Sequence, residues 1–210
     1  MYSPGYSDVL TNGHLRSAEV DSIAKYWYDQ LPPGAEQFIV VEGGAAGDTA
    51  SVGVAFVNGG LGKSNNNSGA YLALCKKEVE WLLNSIPRLP NGAISHRSPE
   101  EAAQLWSDQT YMIPPFLAYY GVLTENVTLA KEASRQIRAY REILRDPKTD
   151  LWKHIVGADW GNTTSERWGT GLGWTVAGIV RVYATYLNSP SESELATPPR
   201  LSEKVPTCAN

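Results

Sequence analysis

Gln104–Tyr120, QLWSDQTYMIPPFLAYY, is apolar and aromatic nearly all round, and a helical segment with no polar face has to be buried. Pro114-Pro115 must kink or restart such a helix, because proline lacks the amide donor and clashes with the preceding turn. Leu129–Leu144, LAKEASRQIRAYREIL, has the opposite character. Arg135, Arg138, Arg141 and Glu142 fall outside, Ala133, Ile137 and Leu144 inside, and Asp146-Pro147 ends the segment. An apolar helix followed by an amphipathic one makes a hairpin with an inside and an outside. Successive hairpins of this kind suit an all-α toroid, with the apolar helices in an inner ring and connecting loops at one end building a site. A helical repeat scaffold would give a similar pattern, but no motif recurs at constant period.

Working outward, the same punctuation predicts four further helices. Val20–Leu31 carries Ile23, Tyr26, Trp27 and Leu31 on one side and stops at Pro32-Pro33-Gly34. Thr49–Val57 is a short helix of small residues, and Ala70–Ile86 has a stripe of Leu72, Cys75, Val79, Leu82 and Leu83. Gly173–Leu187 is the last. Phe38–Val41 is the one convincing strand candidate, and Asn65-Asn66-Asn67 reads as a flexible loop. Residues 1–187 are expected to form the helical domain. Asn188–Asn210 is rich in Pro, Ser and Glu, too polar for a core, and is expected to be a disordered tail.

Composition narrows the partners. A net charge of −4 and no dense Lys/Arg run argue against nucleic acid and against anionic membranes. No stretch approaches the roughly 20 apolar residues of a membrane span, and Met1–Leu10 lacks the basic start and apolar run of a signal peptide. That favours a soluble cytoplasmic protein if the chain is complete as given. Three sequons, at Asn66, Asn126 and Asn162, permit a secretory route and glycosylation instead. Cys75 and Cys208 are expected as two free thiols, with a disulfide as the alternative in an oxidising compartment. Gly43–Gly47 is no phosphate loop, since no Gly-Lys-Ser/Thr follows it.

The chemistry has to come from a few polar residues set in aromatic sequence. Asn91–Tyr120 holds His96, Arg97 and Asp108 among Trp106, Tyr111, Phe116, Tyr119 and Tyr120. Leu151-Trp152-Lys153-His154 puts an imidazole beside an indole, and Arg167–Trp174, RWGTGLGW, puts two tryptophans around a glycine turn that opens a helix. Aromatics interleaved with acids and imidazoles suit a sugar ring, whose apolar face stacks on indole while polar groups take its hydroxyls.

Taken in order, GAISHR, LWSDQTYMIPPFLAYYGVLT, LWKHIV and WGTGLGW resemble the motifs of glycoside hydrolase families 88 and 105, the unsaturated uronyl hydrolases, fungal members above all. The resemblance covers roughly Asp48–Tyr186. It implies an (α/α)6 toroid of helical hairpins, no metal and no cofactor, and an extracellular enzyme acting on oligosaccharides left by polysaccharide lyases. The terminal uronic acid of these substrates carries a C4=C5 double bond. In the family reaction an aspartic acid protonates C4, water adds at C5, and the resulting hemiketal opens. Rhamnose is the sugar expected next to the uronate, as in pectin fragments.

On this resemblance Asp108 is the catalytic acid, and His96, His154, Trp168, Thr170, Trp174 and Asp48 bind substrate. An acid for alkene hydration must keep its proton near neutral pH, and burial among apolar residues raises a carboxyl pKa. In a continuous helix Asp108 would share a face with Leu105, Tyr111 and Met112. Each assignment has a structural alternative. Asp108 and Asp48 could be helix N-caps, His96 a loop imidazole, His154 a surface residue beside Trp152, and one of the two tryptophans a packing residue.

Two departures bear on the expectation. Leu172 stands where the family usually has Asn, replacing an amide by an apolar group. The resemblance also stops near Tyr186, whereas the family toroid continues with further hairpins. An incomplete ring exposes the flanks of its inner helices and favours self-association. A non-catalytic remnant, binding carbohydrate or serving as a helical interaction scaffold, is therefore the alternative function.

Overall fold

The computed structural model describes residues 17–35, 37–38, 44–61, 67–97, 102–157 and 167–195. They form α1 (Ser17–Asp29), α2 (Ala46–Leu61), α3 (Ser68–Asn84), α4 (Ile113–Leu123), α5 (Val127–Leu144), α6 (Gly169–Leu187) and α7 (Glu192–Leu195). Between α3 and α4 lie a two-residue strand β1 (Leu105–Trp106) and a 3-10 turn (Ser107–Tyr111). Strand β2 (Ile155–Val156) precedes α6 and pairs antiparallel with β1, Leu105 opposite Val156 and Trp106 opposite Ile155.

Polarity sorts the helices into two layers. The apolar helices α2, α4 and α6 pack side by side, while α1 and α3 pack against α2 and α5 packs against α4. The result is an arc of a toroid with the expected alternation of inner and outer helices. Its core runs through Phe38, Phe56 and Phe116. Phe38 stacks on Phe56 at 4.5 Å between ring centres and meets Phe116 edge-on at 5.3 Å. Beneath them Glu78 is fully buried and accepts hydrogen bonds from the Thr49 hydroxyl and the Phe38 amide. Burial pushes its pKa up to about 8, with those two bonds opposing the rise.

Several expectations change. Gln104–Tyr120 is not one helix: it divides into β1, the 3-10 turn and α4, and Pro114-Pro115 sit in the first turn of α4, where a missing amide donor costs nothing. On α1 the buried face is Val20 and Ala24, whereas Ile23 and Tyr26 face outward. The polar stretch after Leu187 does not begin a disordered tail at once, since α7 follows, buries Leu195 and packs on α5 and α6. Residues 39–41 of the strand candidate, the sequons at Asn66 and Asn162, Cys208 and residues 196–210 lie outside the described residues. Asn126 caps α5, its side chain accepting from the Leu129 amide at 3.0 Å. Cys75 is a buried free thiol whose pKa burial raises. Among the described residues no helix is long and apolar enough to cross a membrane.

Candidate active site

Asp108, His96, His154, Trp168 and Asp48 lie at one end of the arc, where the inner helices begin. Asp48 is in the first turn of α2, the 3-10 turn carrying Asp108 leads into α4, and Trp168 is the N-cap of α6. Helix N-termini present unpaired amides and partial positive charge, so this end suits anionic groups.

The His96 segment is pinned from both sides. On one side the Ile94 amide donates to Gln136 Oε1 at 2.8 Å, and the Ile94 carbonyl accepts from the Tyr140 hydroxyl at 2.6 Å, both groups belonging to α5. On the other side the His96 amide donates to the Gln104 carbonyl at 2.8 Å, while the His96 carbonyl accepts from Ala46 at the start of α2 at 2.7 Å. His154 arrives by the β1–β2 pairing, which the Ser107 amide extends by donating to the His154 carbonyl at 2.8 Å. The side chains then form a continuous row. His96 stacks on Trp106 at 4.6 Å, Trp106 meets His154 edge-on at 5.5 Å, and His154 lies 4.7 Å from Trp168. The Arg97 guanidinium sits 5.3 Å above Trp106, within cation–π range.

The 3-10 turn is seated on α6 by small residues. The Thr175 hydroxyl donates to the Ser107 carbonyl at 3.1 Å. One turn to either side, a methyl on Gly171 would come 2.5 Å from Ser107 Oγ, and one on Gly178 would overlap the Thr110 carbonyl. Positions 171, 175 and 178 share a helix face. The glycines of WGTGLGW thus serve the first turns of α6 itself and not a turn preceding it. Leu172 packs at the edge of a second cluster that includes Leu105, Tyr140 and Trp152.

Asp108 is half-buried in this turn. It caps nothing: Trp106 is the N-cap residue and makes no side-chain capping bond. Its Oδ1 is buried without a hydrogen-bond partner. Burial raises its pKa, its own backbone amide and His154 oppose the rise, and the charge of Asp48 adds to it. Asp48 itself is exposed at the rim, its pKa raised by desolvation and held back by Arg97. His96 is 4% exposed. Burial holds it as a weak base of pKa about 4, against the opposing bond from Gln109 and with Arg97 and His154 adding to the depression.

The structure therefore brings Asp108, His96, His154, Trp168 and Asp48 to one end of the fold. Trp168 is 41% exposed and continues the aromatic row, whereas Trp174, 36% exposed, leans on Tyr111 at 4.7 Å. Thr170 is exposed in the first turn of α6. Trp106 and Gln109 went unassigned in the sequence. Trp106 is the link between the two histidines, and Gln109 hydrogen-bonds His96 Nδ1 at 2.7 Å. A carboxamide inside an apolar run was the available sign for Gln109, because a buried amide needs polar partners. Among the described residues no group of three or more His, Cys, Asp or Glu is placed to hold a metal. A cavity lined by Tyr28, Leu31, Pro32, Leu74 and Lys77, between the end of α1 and α3, shares no residue with this site.

Residues 22–196 match the family described as Glycosyl Hydrolase Family 88. Over 116 residues the chain is 27% identical to the unsaturated rhamnogalacturonyl hydrolase YesR of Bacillus subtilis (strain 168), a stretch that covers 50% of this chain and 32% of that protein. A solved structure of a possible member of the GH105 family from Klebsiella pneumoniae subsp. pneumoniae MGH 78578 superposes with a TM-score of 0.58 at 19% identity, covering 92% of this chain and 52% of that one. The family 105 glycoside hydrolase of C. acetobutylicum ATCC 824 gives a TM-score of 0.58 at 19% identity, covering 93% of this chain and 63% of that one. The chain thus spans less than two thirds of the length of each of these relatives. The structural likeness fixes the fold as that of the six-hairpin helical toroids. The family match takes in all three inner helices together with the loops that carry Asp108, His96, His154 and Trp168, and on that ground this chain belongs to glycosyl hydrolase family 88.

Proposed function

We propose that this chain is a glycoside hydrolase that removes a 4,5-unsaturated uronic acid from lyase-generated oligosaccharides, with unsaturated galacturonyl-rhamnose from pectin as its substrate. The observation that carries this reading is Asp108, half-buried, with one carboxyl oxygen free of hydrogen bonds and a pKa raised by burial. Burial favours the protonated form that an acid catalyst needs. Asp108 protonates C4 of the enol ether, and the positive charge that develops at C5 is shared with the ring oxygen. Water adds at C5 and loses a proton. The hemiketal so formed opens by breaking the C5–O5 ring bond to leave a ketone at C5, and the hemiacetal this leaves at C1 collapses to an aldehyde, breaking the glycosidic bond and releasing the aglycone sugar. This is alkene hydration, so it does not require the flanking carboxylate pair of ordinary glycosidases. The row His96, Trp106, His154, Trp168 offers stacking faces and imidazole nitrogens for the sugar. Rhamnose as the neighbouring sugar draws on the likeness to the Bacillus protein.

A second reading, a non-catalytic carbohydrate-binding or interaction scaffold, draws on the exposed apolar stripe of Val176, Ile179, Val180, Tyr183 and Leu187 on α6. The test follows the ultraviolet absorbance of the conjugated uronate in a lyase-generated disaccharide, with wild type and Asp108→Asn side by side. Wild type is expected to consume the chromophore, and the variant to lose on the order of 10²–10⁴-fold in rate. A folded wild type that binds the disaccharide and leaves its absorbance unchanged would instead establish the scaffold.

A further inference from the structure

We infer that Gln109 is a positioning residue that fixes the His96 ring as its neutral Nδ1–H tautomer, so that what His96 offers a ligand is the lone pair on Nε2. One end of the Gln109 carboxamide lies 3.2 Å from the Ile94 carbonyl oxygen and 3.1 Å from that of Ser95. Carbonyl oxygens only accept, so this end is the NH2 group, with both hydrogens engaged. The other end is then the amide oxygen, and it lies 2.7 Å from His96 Nδ1. Two acceptors cannot bond to each other. Nδ1 must therefore carry the proton.

The amide cannot turn over at low cost. Gln109 is 1% exposed, and reversal would set its oxygen against two carbonyls, each such unmade bond costing about 1–3 kcal/mol. The two carbonyls are fixed in turn. That of Ile94 also accepts from Tyr140, and the Ile94 amide is held by Gln136, so α5 dictates the orientation of Gln109 and, through it, the tautomer of His96. The charged and titratable groups around the ring are Arg97, beside it in sequence, and His154, brought in by β2, and both disfavour a second proton, as burial does.

A neutral imidazole with its Nδ1 proton committed accepts at Nε2 and cannot pair as a cation with a carboxylate. For its ligand this rests on the reaction proposed above. His96 then takes a hydrogen bond from a sugar hydroxyl, and the uronate carboxylate is recognised by other groups.

The test is long-range proton–nitrogen correlation on the full-length protein labelled with nitrogen-15 in its three histidines, from pH 5 to 8, with the His96 signals assigned by their loss in His96→Asn. The expected result is one protonated nitrogen at Nδ1 and one unprotonated, pyridine-type nitrogen at Nε2, with no titration across the range. Binding of the unsaturated disaccharide to Asp108→Asn should then shift the Nε2 signal and leave Nδ1 protonated. A wild-type ring protonated at Nε2, exchanging between tautomers, or titrating near its ordinary value overturns the inference. Gln109→Leu, whose side chain has no acceptor for the Nδ1 proton, should release the ring to exchange between tautomers, and an unchanged signature in a folded Gln109→Leu also overturns it. The free-protein signature is independent of turnover. If it is found as expected in a protein that leaves the unsaturated uronate intact, the role of Gln109 stands and the proposed reaction alone fails.

Discussion

Burial acts on Asp108 and His96 in opposite directions, because it disfavours whichever form is charged. The carboxyl is raised and the imidazole lowered, so both are biased toward neutrality. An acid catalyst works only while protonated, so turnover should fall as the pH rises through the raised pKa of Asp108. Asp48 contributes to that rise by its negative charge. Replacing Asp48 with Asn should therefore lower the Asp108 pKa and move the alkaline limb of kcat/KM to lower pH. A pH profile of the Asp48→Asn variant checks the sign, and a limb that stays in place or moves to higher pH would contradict the coupling. Asp108 and the two histidines stood out in the sequence because acids and imidazoles are rare in aromatic runs. Gln109 did not, because its role comes from carbonyls of the 94–95 segment, and nothing in the residues beside it indicates that partnership.

At the scale of elements, the segment that misled most is the one that matters most. Leu105–Tyr111 has the apolar spacing of a helix, yet Leu105 and Trp106 pair with residues 155 and 156, and Ser107–Tyr111 tighten into a 3-10 turn. Distant strand pairing overrode local periodicity. What holds the turn is the small-residue face of α6, so a side chain added there should be felt at Asp108. Gly178→Ala would press a methyl into the Thr110 carbonyl and should cost about 1–3 kcal/mol, with loss of activity as the turn is displaced. At Gly173, where the added methyl meets nothing within 4 Å, the same change should be neutral or stabilise by up to about 1 kcal/mol. Urea unfolding of the two variants checks the contrast. Equal effects would show that the turn is not seated by this face.

For the whole molecule the decisive buried group is Glu78, which ties α3 to α2 through Thr49 and to the Phe38 segment. Its folded pKa of about 8 stands above the ordinary 4.5, so the native state holds a proton that the unfolded chain releases. That stabilisation is complete below about pH 4.5 and is lost as the pH rises through about 8, at up to about 1.4 kcal/mol per pH unit. Glu78→Gln keeps the shape without the titration. Its unfolding free energy should vary less between pH 6 and 8 than that of wild type, and parallel denaturation curves at the two pH values would refute the assignment. The sequence by itself determined the helical class, the alternation of apolar and amphipathic helices and the family, since polarity at helical spacing and short motifs are local properties. It also marked Asp108, His96 and His154. Only the tertiary structure decided that these groups meet at the N-terminal ends of the inner helices, that Asp108 sits in a 3-10 turn and caps nothing, and which nitrogen of His96 carries the proton. Those outcomes depend on contacts between residues far apart in the chain, such as Thr175 with Ser107, Glu78 with Phe38 and Gln109 with Ile94. Protonation follows burial and hydrogen-bond partners, and neither exists until the chain has folded.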